Sequence, residues 1–233
     1  MAFKLTGVDG VFAETRAEVL KREFVIEQVW HNNMCFASAY YADKRPIYID
    51  RMRKHEVLMD KWGYVCQQMI RDFKAYNVEM AFAFNSAFDE KVFNHNCDWF
   101  KCINPFDNIK IKDIRGFLHK FVVDNAYKQF CEDNGYFTES GNYSTTAETA
   151  FRYLVDNAFV EEHTALADSE AEAEILRECV MRGADLEAEY EAQRSIPRKI
   201  TRVFTVKKNG EVAFSTEFET VRYFKSNNTV MLK

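Results

Sequence analysis

The clearest apolar periodicity in the chain lies between residues 60 and 76. Trp62, Val65, Cys66, Met69, Ile70 and Phe73 recur at helical spacing, so Asp60 to Tyr76 reads as an amphipathic helix whose stripe is core rather than a cofactor box. Glu18 to Ile26 reads as a strand, and Phe36 to Tyr41 as a short helix or turn. Met80 to Phe84 is short, apolar and aromatic, as a buried strand should be; Asn85-Ser86 then breaks it and caps a helix carrying Phe88, Asp89, Val92 and Phe93. Asn108 to Ile114 predicts another strand, Phe117 to Asp133 a helix, and Asn134 to Tyr143 a polar loop. Thr145 with Glu148 reads as a capping box opening a helix through Val155. Ala171, Ile175, Leu176, Cys179 and Val180 mark a helix running from about Asp168 to about Arg194.

Beyond it, Val203 to Lys208, Asn209-Gly210 and Glu211 to Thr216 spell a β-hairpin, because Asn-Gly favours a type I′ turn. Phe218 to Phe224 and Asn227-Asn228-Thr229 add a short helix. Strand–helix alternation with a final helix packing back predicts an α/β fold, a mixed sheet flanked by helices with a C-terminal β-hairpin extension. The units are read as 1–197, the main domain, and 198–233, a basic hairpin appendage for nucleic-acid or subunit contact.

Composition narrows the class. A chain of 233 residues with 21 Phe and 11 Tyr can bury a real core and is not disordered, and 8 Gly with 3 Pro leave little material for a linker. The six cysteines (Cys35, Cys66, Cys97, Cys102, Cys131 and Cys179) are dispersed without a Cys-x-x-Cys pair, which points to buried free thiols in a reducing, cytoplasmic compartment. There is no signal peptide and no apolar run of membrane-spanning length, so no membrane association is expected. The net charge of −5 is unevenly spread: residues 198–233 carry eight Lys or Arg against three Glu. An acidic body with a basic tail suits metal-dependent phosphate chemistry, carboxylates binding the cation and the tail holding backbone phosphates. An ordinary solvated strand surface explains the tail equally well.

The chemistry-bearing residues stand in two segments. In Glu162-His163-Thr164-Ala165-Leu166-Ala167-Asp168, an imidazole precedes the helix and a carboxylate occupies its first turn. A titratable base beside a metal-holding carboxylate is what phosphodiester hydrolysis needs, although Asp in a first turn also simply complements the helix dipole. In the second segment, the strand Met80 to Phe84 leads through Asn85 and Phe88 to Asp89, a carboxylate just beyond a strand's carboxyl end.

Together, strand–Asn-x-x-Phe-Asp and, downstream, His-x-Ala-x-x-Asp resemble the second and third motifs of the DEDDh 3′–5′ exonucleases, the epsilon-like proofreading family with a ribonuclease H-type fold. Ser38 to Lys44, Asn134-Gly135-Tyr136, and Thr145-Thr146-Ala147-Glu148 with Arg152-Tyr153 look like a subtype found in bacteriophage genomes; the resemblance spans roughly Phe24 to Arg182. It implies a ribonuclease H-like fold and a two-cation site for Mg²⁺ or Mn²⁺. Asp168 would be a metal ligand, Asp89 would support the second metal largely through water, and His163 would be the general base. Asn85 and Phe88 would shape the substrate site, Asn by capping and Phe by packing or stacking beneath a terminal base. DNA or RNA 3′ ends are the implied partners, alongside a polymerase or replication partner of unknown identity, in the cytoplasm of a bacterial host cell if the chain is phage-encoded.

One motif departs from the pattern. The family's first motif, Asp-x-Glu on the first strand, has no counterpart near the amino terminus; Asp9 and Glu14 are five residues apart and cannot share a strand face. Glu18 to Val25 reads as the strand that normally follows, so the expectation is a chain that begins late or one that has lost its primary ligands. A competing reading is a non-catalytic nucleic-acid- or protein-binding member of the same fold.

Overall fold

Alternation along one strand organises the first half of the molecule. The computed structural model describes residues 2–6, 18–32, 43–193, 198–206 and 212–220. Strand β1 (Ala2–Thr6) pairs antiparallel with β2 (Glu18–Ile26), from Ala2 opposite Glu23 to Thr6 opposite Glu18, with a register shift after Leu5. A one-turn helix α1 (Glu27–Trp30) follows, and α2 (Arg45–Arg53) opens with Pro46, whose fixed φ suits a first turn. Strand β3 (Leu58–Asp60) then lies parallel to the end of β2, giving the sheet order β1-β2-β3.

Even-numbered residues of β2 face α3 (Trp62–Ala75): Leu20 and Phe24 pack into a core with Trp62, Val65, Cys66, Met69 and Phe73. Arg22, on the same face, clasps the buried Asp72 of α3 with Nε–Oδ2 at 2.6 Å and Nη2–Oδ1 at 3.2 Å. The apolar stripe read from the sequence is therefore core, except for the half-buried Ile70 at its edge. Its flank Asp60 belongs to β3, whose extended backbone ends the strand before the helix begins.

The second half is built on a parallel pair. Strand β4 (Met80–Ala83) crosses through α4 (Ser86–Phe100) to β5 (Lys110–Asp113), pairing Met80 with Lys110 through Ala83 with Asp113. The strand predicted over Asn108 to Ile114 is shorter than expected, because the Asp113 carboxylate accepts the Arg115 N–H and starts α5 (Ile114–Phe121). The single helix expected over Phe117 to Asp133 is in fact two. Asp124 caps a separate α6 (Asn125–Asn134) by accepting the Tyr127 N–H at 2.9 Å. Helix α7 (Ala147–Leu154) is capped by Thr146 rather than Thr145, and Glu148 pairs with Arg152 at 2.7 Å instead of closing a capping box.

Helix α8 (Ala165–Met181) stops well short of Arg194. Gly183 takes a φ of 94, the left-handed conformation that glycine tolerates, and the Ala184 N–H returns to the Cys179 carbonyl at 3.0 Å. Helices α5 to α8 share a core of Ile114, Phe117, Leu118, Tyr127, Ile175 and Cys179.

Strands β6 (Arg198–Val206) and β7 (Val212–Thr220) pair antiparallel along their whole length. This is the hairpin read from the sequence, extended at both open ends. Phe218, expected in a helix, is a strand residue opposite Ile200, held there by the ladder. The Asn209-Gly210 turn, the Phe36 to Tyr41 segment and Asn227 to Thr229 lie outside the described residues. The architecture is mixed α/β, its strands falling into three separate sheets among the described residues. No described helix is long and apolar enough to cross a membrane.

Candidate functional site

The start of α8 builds the site. Thr164, fully buried, has extended backbone (φ −102, ψ 147), and its carbonyl accepts the Asp168 N–H at 2.9 Å, so Asp168 stands in the first helical turn. The positive end of the helix favours a carboxylate there. His163, just before the cap, has a φ of 57, uncommon for a residue with a side chain. Its Nδ1 lies 3.2 Å from Glu161 Oε2. One ligand-type atom from each of Glu161, His163 and Asp168 lies within 4.8 Å of the others. Asp168 Oδ1 is buried and has no hydrogen-bond partner among the described residues.

Helix α2 clamps this segment from the other side. Odd-numbered residues of β2 face away from α3, and Glu23 is buried among them. Its carboxylate accepts the Tyr48 hydroxyl at 3.0 Å, Arg51 Nη1 at 2.9 Å and the Leu166 N–H at 3.2 Å. Arg51 also reaches Glu162 Oε1 at 2.9 Å, the Tyr48 hydroxyl accepts the Ala165 N–H at 3.1 Å, and Lys44 donates to the Glu162 carbonyl. Burial, with Glu23 adding, pushes the Tyr48 phenol up to about 12, so it remains a donor to Glu23.

Acids crowd along the adjoining face of α8. Glu172, one turn beyond Asp168, accepts the Phe84 N–H at 3.1 Å across the end of β4. Burial pushes its carboxyl up to about 7, and Asp89, Asp168 and Glu161 push in the same direction. Asp168 is raised by burial, tempered by His163 and Lys44 and reinforced by Glu23 and Glu162. Burial and then Asp168 raise Glu161; burial and then Asp113 raise Asp89. Glu172 thus feels the charges of both Asp89 and Asp168, which links the two motif segments through a residue belonging to neither.

His163 and Asp168 come together directly. Asp89 occupies the first turn of α4 and adds its charge at Glu172, but it is not among the Glu161, His163 and Asp168 atoms that come within 4.8 Å of one another. Asn85 does take the cap position of α4, but with a φ of 64 and no side-chain cap bond. Capping by its side chain is therefore incorrect: the main-chain N–H donates to Asp113 Oδ1 at 2.9 Å, because the left-handed turn aims the backbone at the end of β5. Phe88 presents an exposed ring beside Asp89. Asp9 and Glu14 lie outside the described residues.

Sequence reasoning missed Glu23, Glu161 and Glu172. Glu172 had a signal, since a residue four beyond Asp168 shares its helix face. Glu161 had a weaker one, an acid two residues from His163 in the segment that leads into α8. Chemically, carboxylates with an adjacent imidazole form a donor set for a hard divalent cation and a proton acceptor beside it. No family model, curated protein or solved structure matches the chain.

Proposed function

We propose that this chain is a metal-dependent 3′–5′ exonuclease of the DEDDh type on a ribonuclease H-like fold, hydrolysing phosphodiesters at DNA or RNA 3′ ends. One observation carries the reading: the buried Oδ1 of Asp168, without a hydrogen-bond partner among the described residues, beside Glu161 and His163. An orphaned carboxylate oxygen is costly, and a cation relieves that cost. The crowded, raised carboxyls of Glu161, Asp168 and Glu172 point the same way, because cation binding replaces proton uptake as the means of neutralising them. Mg²⁺ or Mn²⁺ would suit this hard donor set, with Asp168 as the ligand and the charges of Glu172 and Asp89 adding to its attraction. When bound, such a cation neutralises charge on the phosphoryl and leaving oxygens.

The chain's own groups do the rest. With Nδ1 protonated toward Glu161, Nε2 of His163 is the basic nitrogen and takes the proton of the attacking water. Glu161 holds the ring and stabilises the imidazolium that results. The exposed ring of Phe88 offers a face for a terminal base, worth about 1–3 kcal/mol per stacked base.

Hydrolysis of a 3′-labelled oligonucleotide in Mg²⁺ or Mn²⁺ tests the proposal. Asp168→Asn should abolish cleavage, and His163→Ala should slow it by about 10²–10⁴-fold, the usual worth of a general base. Undiminished cleavage in EDTA would refute the metal mechanism. A second reading has its own support: Glu23, a buried acid of β2 whose charge acts on Asp168, is already paired with Arg51. That arrangement fits a non-catalytic binding protein, which would retain oligonucleotide affinity without cleavage in either metal.

A further inference from the structure

Three cysteines, Cys66 on one helix and the close pair Cys97 and Cys102 at the end of the next, meet between α3 and α4. Cys66 lies on the buried stripe of α3 and Cys97 on the buried face of α4. Lys101, with a φ of 52, stops α4 in the left-handed region, and the Cys102 N–H returns to the Cys97 carbonyl at 3.0 Å. The Cys66 and Cys97 sulfurs are 3.9 Å apart, and the sulfurs of all three cysteines lie within 4.8 Å of one another.

These distances discriminate between uses. A disulfide requires sulfurs about 2.0 Å apart, roughly half the observed separation. Thiolates sharing one zinc, each about 2.3 Å from it, stand about 3.8–4.0 Å from one another in tetrahedral or trigonal geometry. We propose that Cys66, Cys97 and Cys102 form a three-thiolate site for a single Zn²⁺ ion that staples α3 to α4. It shares no residue with the acidic cluster and stands whether or not that cluster is catalytic.

The surroundings are suited to it. The Trp62 indole Nε1 donates to Cys97 Sγ at 3.4 Å, a bond that strengthens when the sulfur becomes a thiolate and orients the ligand from outside. Cys102 is only partly buried and gives a path from solvent, and a water completes the fourth position. On binding, each S–H is replaced by an S–Zn bond and the three protons pass to solvent, leaving one net negative charge that the indole N–H faces.

The test uses the full chain, reduced and stripped with chelator, then titrated with Co²⁺ and back-titrated with Zn²⁺. Expected are a thiolate-to-cobalt charge-transfer band saturating at one ion per chain, its loss on adding Zn²⁺, and zinc protection of three of the six thiols from alkylation. Asp168→Asn should leave the band intact. Cys102→Ser, at the least buried ligand, should weaken binding by more than the roughly 10–100-fold that loss of an outer-shell partner costs. Cys66→Ser should do likewise; if that variant does not fold, Cys102→Ser decides. Absence of the band, a band unchanged in Cys102→Ser, or a Cys66–Cys97 disulfide in a protein that retains no zinc would each overturn the proposal.

Discussion

Replacing Glu172 by glutamine removes a charge that the fold holds against both burial and its neighbours. Glutamine keeps the acceptor oxygen for the Phe84 N–H and nearly the same volume, so the perturbation is electrostatic. The carboxyl is carried from its ordinary 4.5 to about 7. At 1.36 kcal/mol per pKa unit, that corresponds to about 3 kcal/mol between the protonated and ionised folded forms, an upper figure because solvent reaches part of the side chain. Since the folded-state value lies above the unfolded one, this group favours the fold fully below pH 4.5 and the contribution is lost as pH rises through about 7. Glu172→Gln should therefore be more stable than the parent at about pH 8, by roughly 2–3 kcal/mol, and nearly equal to it at about pH 4.

Urea denaturation across that range, in chelator, measures the difference directly. The same titration in Mg²⁺ adds the functional half: cation binding should stabilise the parent more than the variant, because the variant has lost an anion that adds to the attraction. Equal stability of the two proteins at about pH 8 would refute the account of a strained acidic cluster. A variant that gained stability and bound Mg²⁺ as well as the parent would remove Glu172 from the site while leaving Asp168 in it.

Two further outcomes follow from buried groups away from the site. His119 is buried, its Nε2 has no hydrogen-bond partner among the described residues, and burial with Arg115 nearby depresses its value to about 4, Asp113 opposing. Its contribution to stability is thus present above the ordinary 6.5 and lost as pH falls toward about 4. His119→Leu should flatten the acid limb of the stability profile by about 2 kcal/mol, read by denaturation at two pH values; an unchanged limb would sink this. Gly116 lies in α5 where an added Cβ would collide with the Tyr190 carbonyl. Gly116→Ala should gain about 1 kcal/mol of helix propensity yet lose more to the clash, lowering the melting temperature and exposing residues 186–193 to protease. A raised melting temperature would show that the covering segment yields.

Features set by one or two neighbouring residues were legible in the sequence, and features set across the chain were not. The stripe of α3 and the His163–Asp168 juxtaposition at the start of α8 depend on local spacing alone. The split at Asp124 and the stop at Gly183 have local causes as well, a capping Asp and a left-handed glycine, each masked by helix-forming sequence on both sides: Phe117 to Asp133 in the first case and the Glu/Ala-rich run toward Arg194 in the second. Thr146 rather than Thr145 caps α7 because the Thr145 hydroxyl is taken by Arg115, 30 residues away, while Glu148 pairs with Arg152 one turn along the helix. Glu172 is different in kind: its meaning depends on Phe84, 88 residues distant, and on Asp89 beside it. The cysteines looked dispersed for the same reason, since only the packing of α3 on α4 makes Cys66 and Cys97 neighbours.

The pair Glu23–Arg51 decides how the sheet side of the site is built. Glu23 has only 1 % of its side chain exposed, and Arg51 holds it at 2.9 Å while also gripping Glu162 next to His163. Arg51→Met leaves the acid with the Tyr48 hydroxyl and the Leu166 N–H but without a counter-charge. Breaking one side of a buried pair costs about 3–5 kcal/mol, and the partly exposed guanidinium argues for the lower end. Glu23→Gln with Arg51→Met removes both charges and keeps an acceptor for Tyr48 and Leu166, so the double variant should recover most of the loss. The cycle should give a coupling of about 2 kcal/mol, read by denaturation; simple additivity would mean that the pair is not a unit. Activity separates two roles for Glu23. If it only positions the 162–166 segment, the double variant should cleave oligonucleotides at nearly the parent rate. If it also serves as a metal-holding acid, the double variant should stay folded and lose cleavage, because repairing stability does not restore an anion.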